Sequence, residues 1–115
     1  MNEIILVSEP IARTKLAEIA KKKFGDFVKA VVDIEKGIMA IGAGMHFDEE
    51  QFLLEQESKQ RDLWGINIFP GRDFPECIEF DSMINLRPSQ GNRSRGVDDP
   101  RVQAKILEIV KKLLL

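Results

Sequence analysis

Residues 27–42, FVKAVVDIEKGIMAIG, decide the fold. From Phe27 to Glu35 apolar side chains alternate with more polar ones, which is the period of a β-strand with one buried face. Lys36-Gly37 is a plausible tight turn, and the apolar run Ile38–Gly42 follows it directly. The pattern therefore predicts a β-hairpin, and with it an antiparallel sheet at the centre of the protein.

Three other segments have strand patterns. Ile4–Val7 is a short, continuously apolar run with β-branched residues. Leu63–Phe69 is apolar on both faces, which is typical of a buried strand. Residues 78–87 alternate again, with apolar side chains at positions 78, 80, 84 and 86. We therefore predict strands in all three segments.

Residues 48–57 fit two secondary structures. Asp48 followed by Gln51 resembles the capping box of a helix. The run Phe52–Leu54 is also short enough for a strand, and Ser58-Lys59-Gln60 could turn it into the next one. Our prediction for this segment is a strand, with a helix as the alternative.

Two helices are predicted, one near each end of the chain. The first begins with Ser8 as its cap and has an apolar stripe at helical spacing within Ala12–Phe24. The second begins with Asp99 as cap and Pro100 in the first helical position. Its apolar stripe lies within Val102–Leu113. Both helices should bury one face against the sheet.

The predicted order is β-α-β-β-β-β-β-α in a single domain of residues 1–115. This is an α+β fold, in which a mostly antiparallel sheet of five or six strands carries two amphipathic helices on one face. Two helices can cover only that face, so the other should be polar. The polar side chains assigned to it are Lys29, Asp33, Glu35, Glu79, Asp81, Asn85 and Arg87.

Composition limits the functional classes. The net charge of −2 argues against general nucleic-acid binding, which needs a basic surface. The single cysteine, Cys77, cannot form an internal disulfide. The first ten residues, MNEIILVSEP, lack the basic segment of a signal peptide, and no apolar run is long enough to span a membrane. We expect a cytoplasmic protein that does not enter the membrane.

Residues 87–96, RPSQGNRSRG, form what we call the arginine loop, with three arginines, two glycines and no acid. Such a loop can direct backbone N–H groups and guanidinium groups at a phosphate or carboxylate. The predicted anion-binding residues are Arg87, Ser89, Gln90, Asn92, Arg93, Ser94 and Arg95. The alternative is that the arginines pair with nearby acids and only hold the loop in shape. In that case Glu79, Asp81, Asp98 and Asp99 would be the partners.

Two pairs of acids suggest a second kind of site. Asp33 and Glu35 share one strand face, as do Glu79 and Asp81. Carboxylates that converge could hold a divalent cation such as Mg²⁺ or Mn²⁺ and support phosphoester hydrolysis. Their alternative is an ordinary solvated sheet face. His46, the only histidine, is expected to be a partly buried hydrogen-bonding residue rather than a base.

Four motifs together resemble a known family. They are VVDIEKGIMAIG, His46 with Asp48, DLWGINIFP, and IEFDSMINLRPSQGNRSRGV. The resemblance is to a family of small, single-domain prokaryotic proteins of unknown function, and it departs at residues 55–59, where the family pattern has a glycine turn. It implies one domain in a prokaryotic cytoplasm and brings no activity, substrate or cofactor.

Three functions from different classes follow. The first is a binding domain, or a weak enzyme, for a phosphorylated or otherwise anionic small molecule, bound between the polar sheet face and the arginine loop. The second is a metal-dependent phosphoesterase or nuclease that uses the sheet-face carboxylates. The third is a non-catalytic interaction module whose polar sheet face meets a partner or a second copy in a homodimer.

Overall fold

One antiparallel sheet carries the rest of the protein. The computed structural model describes residues 3–115. Met1 and Asn2 lie outside the described residues; they are the first two residues of the segment that we did not expect to be a signal peptide. The strands are β1 (Ile5–Val7), β2 (Val28–Asp33), β3 (Ile38–Ile41), β4 (Leu63–Ile68) and β5 (Ile78–Glu79). Their order in the sheet is β1-β3-β2-β4-β5, and every neighbouring pair is antiparallel. The predicted α+β class is confirmed.

The central hairpin forms as its sequence predicts. β2 and β3 pair from Ala30 opposite Ile41 to Asp33 opposite Ile38. Gly37 has a φ of +70°, a conformation in which a residue without Cβ is unstrained, and its N–H donates to the Asp33 carbonyl at 2.9 Å. The turn therefore fixes the register of both strands.

Two of the three helices pack on the same face of the sheet, as predicted. Helix α1 (Arg13–Lys21) buries Leu16, and helix α3 (Pro100–Leu113) buries Ile106, in one core with alternate residues of β2, β3 and β4. Helix α3 begins as predicted, because the Asp99 side chain accepts the Arg101 N–H at 2.9 Å. No helix within residues 3–115 is long and apolar enough to cross a membrane.

The predicted start of α1 at Ser8 was wrong. The helix begins at Arg13, and Ala12 caps it without a side-chain hydrogen bond. The chain before it stays extended because Ile11 pairs with the end of the protein. Its N–H donates to the Leu113 carbonyl at 2.8 Å, and its carbonyl accepts the Leu115 N–H at 3.0 Å.

The strand predicted within residues 48–57 was also wrong. Residues 48–55 belong to helix α2 (His46–Glu55), which packs on the second face of the sheet. Leu53 is fully buried there against Val31 and Ala40. Two acids of α2 are buried as well, so the helix does not show the polar stripe that a sequence pattern needs. The second face is therefore partly covered rather than open.

The last strand is much shorter than its alternation predicts. β5 ends at Glu79, and Met83–Asn85 forms a 3₁₀ turn. The side chain of Asn85 then takes the place of a strand residue beside β4. Its Oδ1 accepts the Gly65 N–H at 2.8 Å, and its Nδ2 donates to the Gly65 carbonyl at 2.9 Å. Asn85 thus completes the edge of the sheet instead of pointing from its polar face.

Candidate functional site

The arginine loop is organised around the buried side chain of Asn92. Its Nδ2 lies within hydrogen-bonding distance of three backbone carbonyls, those of Asn85 at 2.7 Å, Ser94 at 3.1 Å and Gly96 at 2.9 Å. Its Oδ1 accepts the Asp98 N–H at 2.8 Å. Both ends of the amide are used inside the protein. Asn92 therefore shapes the loop.

Arg87 is also used internally, at the base of the loop. It is 9% exposed, and its guanidinium carbon lies 4.4 Å from the centre of the Trp64 ring. Its Nε donates to the Ile84 carbonyl at 3.0 Å, and its Nη1 donates to the Gln60 carbonyl at 2.7 Å. Nη2 donates to the Leu63 carbonyl, and Nη1 also donates to the side chain of Gln90. Such a group belongs to the architecture and has no face left for a ligand.

The tip of the loop is exposed and mostly held by Asp98. The Ser94 hydroxyl donates to Asp98 Oδ1 at 2.5 Å, and the Arg93 N–H donates to Asp98 Oδ2 at 2.8 Å. These two bonds lower the pKa of Asp98. The Arg93 guanidinium makes no hydrogen bond or ion pair to any of residues 3–115. Ser89 is exposed beside it.

Arg95 is the one arginine of the loop that turns toward the sheet with donors to spare. Its Nε donates to Asp81 Oδ1 at 2.7 Å. Its two terminal nitrogens, Nη1 and Nη2, make no hydrogen bond to the described part of the chain. The pair is half-exposed, with 57% of the Arg95 side chain and 44% of the Asp81 side chain accessible. Asp81 thus holds the guanidinium from one side and leaves its forked end open.

That open end lines a cleft of about 200 Å³ between the second sheet face and the arginine loop. We call it the His46 cleft. Its polar lining consists of Lys29, His46, Asn67, Asp81, Ser82 and Arg95, and its apolar lining consists of Met45, Phe47, Met83 and Ile84. Strands β2 and β4, the start of α2 and the arginine loop all contribute to it. The cleft lies where the sequence predicted a site, although only Arg95 among the predicted anion-binding residues reaches it.

His46 lies at the floor of the cleft and is 6% exposed. Its Nε2 lies 2.7 Å from the Ile66 carbonyl, so Nε2 carries the proton and donates it. The pKa of His46 is lowered from 6.5 to about 4, mainly by burial and with smaller contributions from the charges of Lys29 and Arg95. The hydrogen bond to the Ile66 carbonyl and the charge of Asp81 oppose this shift only in part. The ring is therefore neutral at pH 7. Its Nδ1 carries a lone pair and accepts hydrogen bonds.

Gly65 makes room for this arrangement. A Cβ at position 65 would lie 2.6 Å from the Cβ and Oγ of Ser82 and 3.2 Å from His46 Cδ2. The contacts with Ser82 are closer than packed atoms allow, and the contact with His46 would be tight. The glycine in the LWGIN motif therefore lets His46 and Ser82 pack directly over β4.

Asn67 contributes an unsatisfied acceptor. The residue is 6% exposed, and its Nδ2 donates to Glu79 Oε1 at 2.7 Å. Its Oδ1 is buried and has no hydrogen-bond partner within residues 3–115. Exchanging the two amide atoms would bring an oxygen against the Glu79 carboxylate, so this orientation is the stable one. A buried acceptor without a partner costs about 1–3 kcal/mol, and a ligand with a donor would remove that cost.

Lys29 supplies a cation beside it. Lys29 lies directly opposite Asn67 in the pairing of β2 with β4. Its Nζ is 5.3 Å from the centre of the Phe24 ring and makes no hydrogen bond or ion pair within residues 3–115. Sequence analysis placed Lys29 on the polar face without giving it a role. The signal was its polarity, and that of Asn67, inside otherwise apolar strands.

The four carboxylates predicted as metal ligands are not brought together. Asp33 lies opposite Leu63, whereas Glu79 lies opposite Asn67, four residues further along β4 and therefore ~13 Å away. Asp33 accepts the Ser58 hydroxyl at 2.6 Å and the N–H groups of Glu35 and Lys36 at 2.9 Å. Within residues 3–115, no three acids, histidines or cysteines are arranged to hold a metal ion.

Comparison with known proteins identifies a family and nothing more specific. A family model described as "Protein of unknown function (DUF5674)" matches residues 5–113, and the chain therefore belongs to this family. No curated protein and no solved structure matches the chain.

Proposed function

We propose that this member of the family is a binding domain for a small anionic molecule and that the His46 cleft is its binding site. The observation that carries the proposal is the open end of Arg95. Asp81 accepts only from Nε, and Nη1 and Nη2 make no hydrogen bond within residues 3–115. A guanidinium fork of this kind matches a carboxylate or phosphate with two parallel hydrogen bonds.

The surroundings of Arg95 support the same conclusion. Lys29 adds a second cation that makes no hydrogen bond or ion pair within residues 3–115, so the groups that line the cleft carry more positive than negative charge. His46 is neutral at pH 7 and does not add to that charge. The buried Oδ1 of Asn67 has no hydrogen-bond donor within residues 3–115, which favours a ligand that brings one. The ligand we propose is an anion that carries an N–H or O–H group close to its negative charge.

The other two functions have less support. A metal-dependent phosphoesterase needs carboxylates that converge on one ion. The β4 residues opposite Asp33 and Glu79 are instead ~13 Å apart along the strand. A homodimer across the second face would have to form around α2, which already covers part of that face. We therefore propose a small-molecule site.

A thermal-shift screen tests the proposal with inorganic phosphate, glycerol phosphate, hydroxy acids and amino acids. A specific ligand at about 100 times its Kd stabilises the protein by about 2.7 kcal/mol. Arg95→Ala should abolish that shift. Arg93→Ala is the matched control, because it removes the same charge from the same loop at a side chain without a partner. Equal loss of the shift in both variants would mean charge screening rather than a site.

A further inference from the structure

We infer that the ligand is a free α-amino acid with an apolar side chain, which rests on the function proposed above. The His46 cleft combines three features that such a molecule matches at once. It has a guanidinium fork, a cluster of hydrogen-bond acceptors, and an exposed apolar rim.

The fork binds the carboxylate. The hydrogen bond from Arg95 Nε to Asp81 favours one orientation of the guanidinium before a ligand arrives. Nη1 and Nη2 can then donate in parallel to the two oxygens of one carboxylate. Lys29, on β2, adds a positive charge that strengthens the attraction for the carboxylate. It does not compete with Nη1 and Nη2 for the two parallel hydrogen bonds.

The acceptors bind the ammonium group. Asn67 Oδ1 is buried without a partner. Asp81 uses only Oδ1 for Arg95, so its Oδ2 is free of hydrogen bonds within residues 3–115. His46 adds the lone pair of Nδ1. An ammonium has three N–H donors, and these three acceptors belong to residues that line the same cleft. A phosphate or a dicarboxylate would instead place a second negative group against these acceptors.

The rim binds the side chain. Met45, Phe47 and Met83 line the same cleft and are 59%, 53% and 62% exposed. Large apolar side chains gathered in this way around polar groups are typical of a ligand site. Methionine is flexible and polarisable, and it adapts to side chains of different shape. The volume of about 200 Å³ is below the ~300–1,000 Å³ of sites for drug-sized ligands, as a single amino acid requires.

Isothermal titration of the full chain with L-leucine, L-methionine and L-phenylalanine tests the inference. We expect at least one of them to bind. N-acetyl-L-leucine lacks the ammonium, leucinamide lacks the carboxylate and L-alanine lacks the side chain, so each should bind at least tenfold more weakly. Arg95→Ala should weaken L-leucine at least tenfold, and Arg93→Ala less than twofold. Met83→Ser should weaken L-leucine while leaving L-alanine unchanged.

The outcomes separate this inference from the proposed function. If glycerol phosphate or a hydroxy acid binds in an Arg95-dependent way and no amino acid does, the anion site stands and the amino-acid inference is overturned. If N-acetyl-L-leucine binds as tightly as L-leucine, the ammonium contacts are wrong and the inference is again overturned. If none of these compounds binds, both the proposed function and the inference are wrong. Circular dichroism confirms that each variant is folded.

Discussion

Replacing Arg87 by alanine tests whether the base of the arginine loop is architecture. Arg87 is 9% exposed and donates to the carbonyls of Ile84, Gln60 and Leu63. In sequence, Gln60 precedes β4, Leu63 is its first residue, and Ile84 follows the strand. Without the guanidinium the Leu63 carbonyl would remain buried with no donor, and the carbonyls of Ile84 and Gln60 would each lose a partly buried hydrogen bond. The substitution should therefore weaken the whole fold and not only the loop.

The expected size follows from those contacts. Three lost hydrogen bonds at ~1 kcal/mol each, and the lost stacking on Trp64 at ~1 kcal/mol, give about 4 kcal/mol. Burial lowers the pKa of Arg87, because the buried charge carries a desolvation cost. Alanine removes that charge, so part of the lost stability is offset. We expect a net loss of about 3 kcal/mol in the free energy of unfolding. That is a large fraction of the 5–15 kcal/mol typical of a small domain.

Urea unfolding, followed by circular dichroism, measures the loss. With a slope of about 1–3 kcal/mol per molar urea, the midpoint should fall by roughly 1–3 M. Arg87→Met retains the packing of the stem and should lose nearly as much, because it lacks the donors. Arg93→Ala is the control for charge and should lose less than about 1 kcal/mol. A loss below about 1 kcal/mol in Arg87→Ala would refute the structural role.

Three further substitutions test the fold and the floor of the cleft. Leu53→Ala removes the side chain that joins α2 to the second sheet face and should cost about 2–5 kcal/mol in urea unfolding, whereas a neutral result would mean that α2 does not pack there. Gly65→Ala adds a Cβ that meets Ser82 at 2.6 Å, so it should cost about 1–3 kcal/mol and weaken ligand binding, and a stable variant with normal binding would contradict this packing. The pKa of His46 is lowered from 6.5 to about 4, so the folded state binds fewer protons than the unfolded state between those pH values. Stability should therefore fall by about 3 kcal/mol as the pH drops from 6.5 to 4, and His46→Gln should lack this part of the pH dependence; equal profiles would show that His46 is not buried in its neutral form.

The hairpin and two helices could be predicted because their periodicity reflects burial on one side. Helix α2 was predicted only as the alternative to a strand, since its buried side chains include two acids. Glu49 is fully buried, and its Oε2 accepts the Ala43 N–H at 3.0 Å. Burial raises its pKa well above 4.5. Glu50 is buried beside it. A pattern that treats every glutamate as exposed leaves only Phe52–Leu54 as apolar, which looks like a strand.

The end of β5 could not be predicted from the sequence either. The sequence continues to alternate beyond Glu79, but the backbone leaves the sheet and a side-chain amide replaces it. Asn85 pairs with Gly65 in the way that a strand residue would. No periodicity reports this kind of pairing, because it depends on one side chain rather than on a run of residues.

The position of the candidate cleft could be predicted, and most of its residues could not. The arginine loop was correctly placed beside the polar sheet face. Its composition did not distinguish the internal Arg87 from the half-exposed Arg95, because both are arginines in the same ten residues. Burial and hydrogen-bond partners make that distinction. They also bring Lys29, His46 and Asn67, which are far apart in sequence, into one cleft.

Mapping the bound ligand by nuclear magnetic resonance tests the central claim most directly. The protein is titrated with the best ligand from the screen while the amide, arginine and histidine signals are followed. We expect the largest shifts at the Asn67 side-chain amide, the His46 ring and the Arg95 guanidinium. Shifts at Ser89 and Arg93 on the loop tip should be small. The largest shifts at that tip, with none at Asn67 or His46, would contradict a binding site in the His46 cleft.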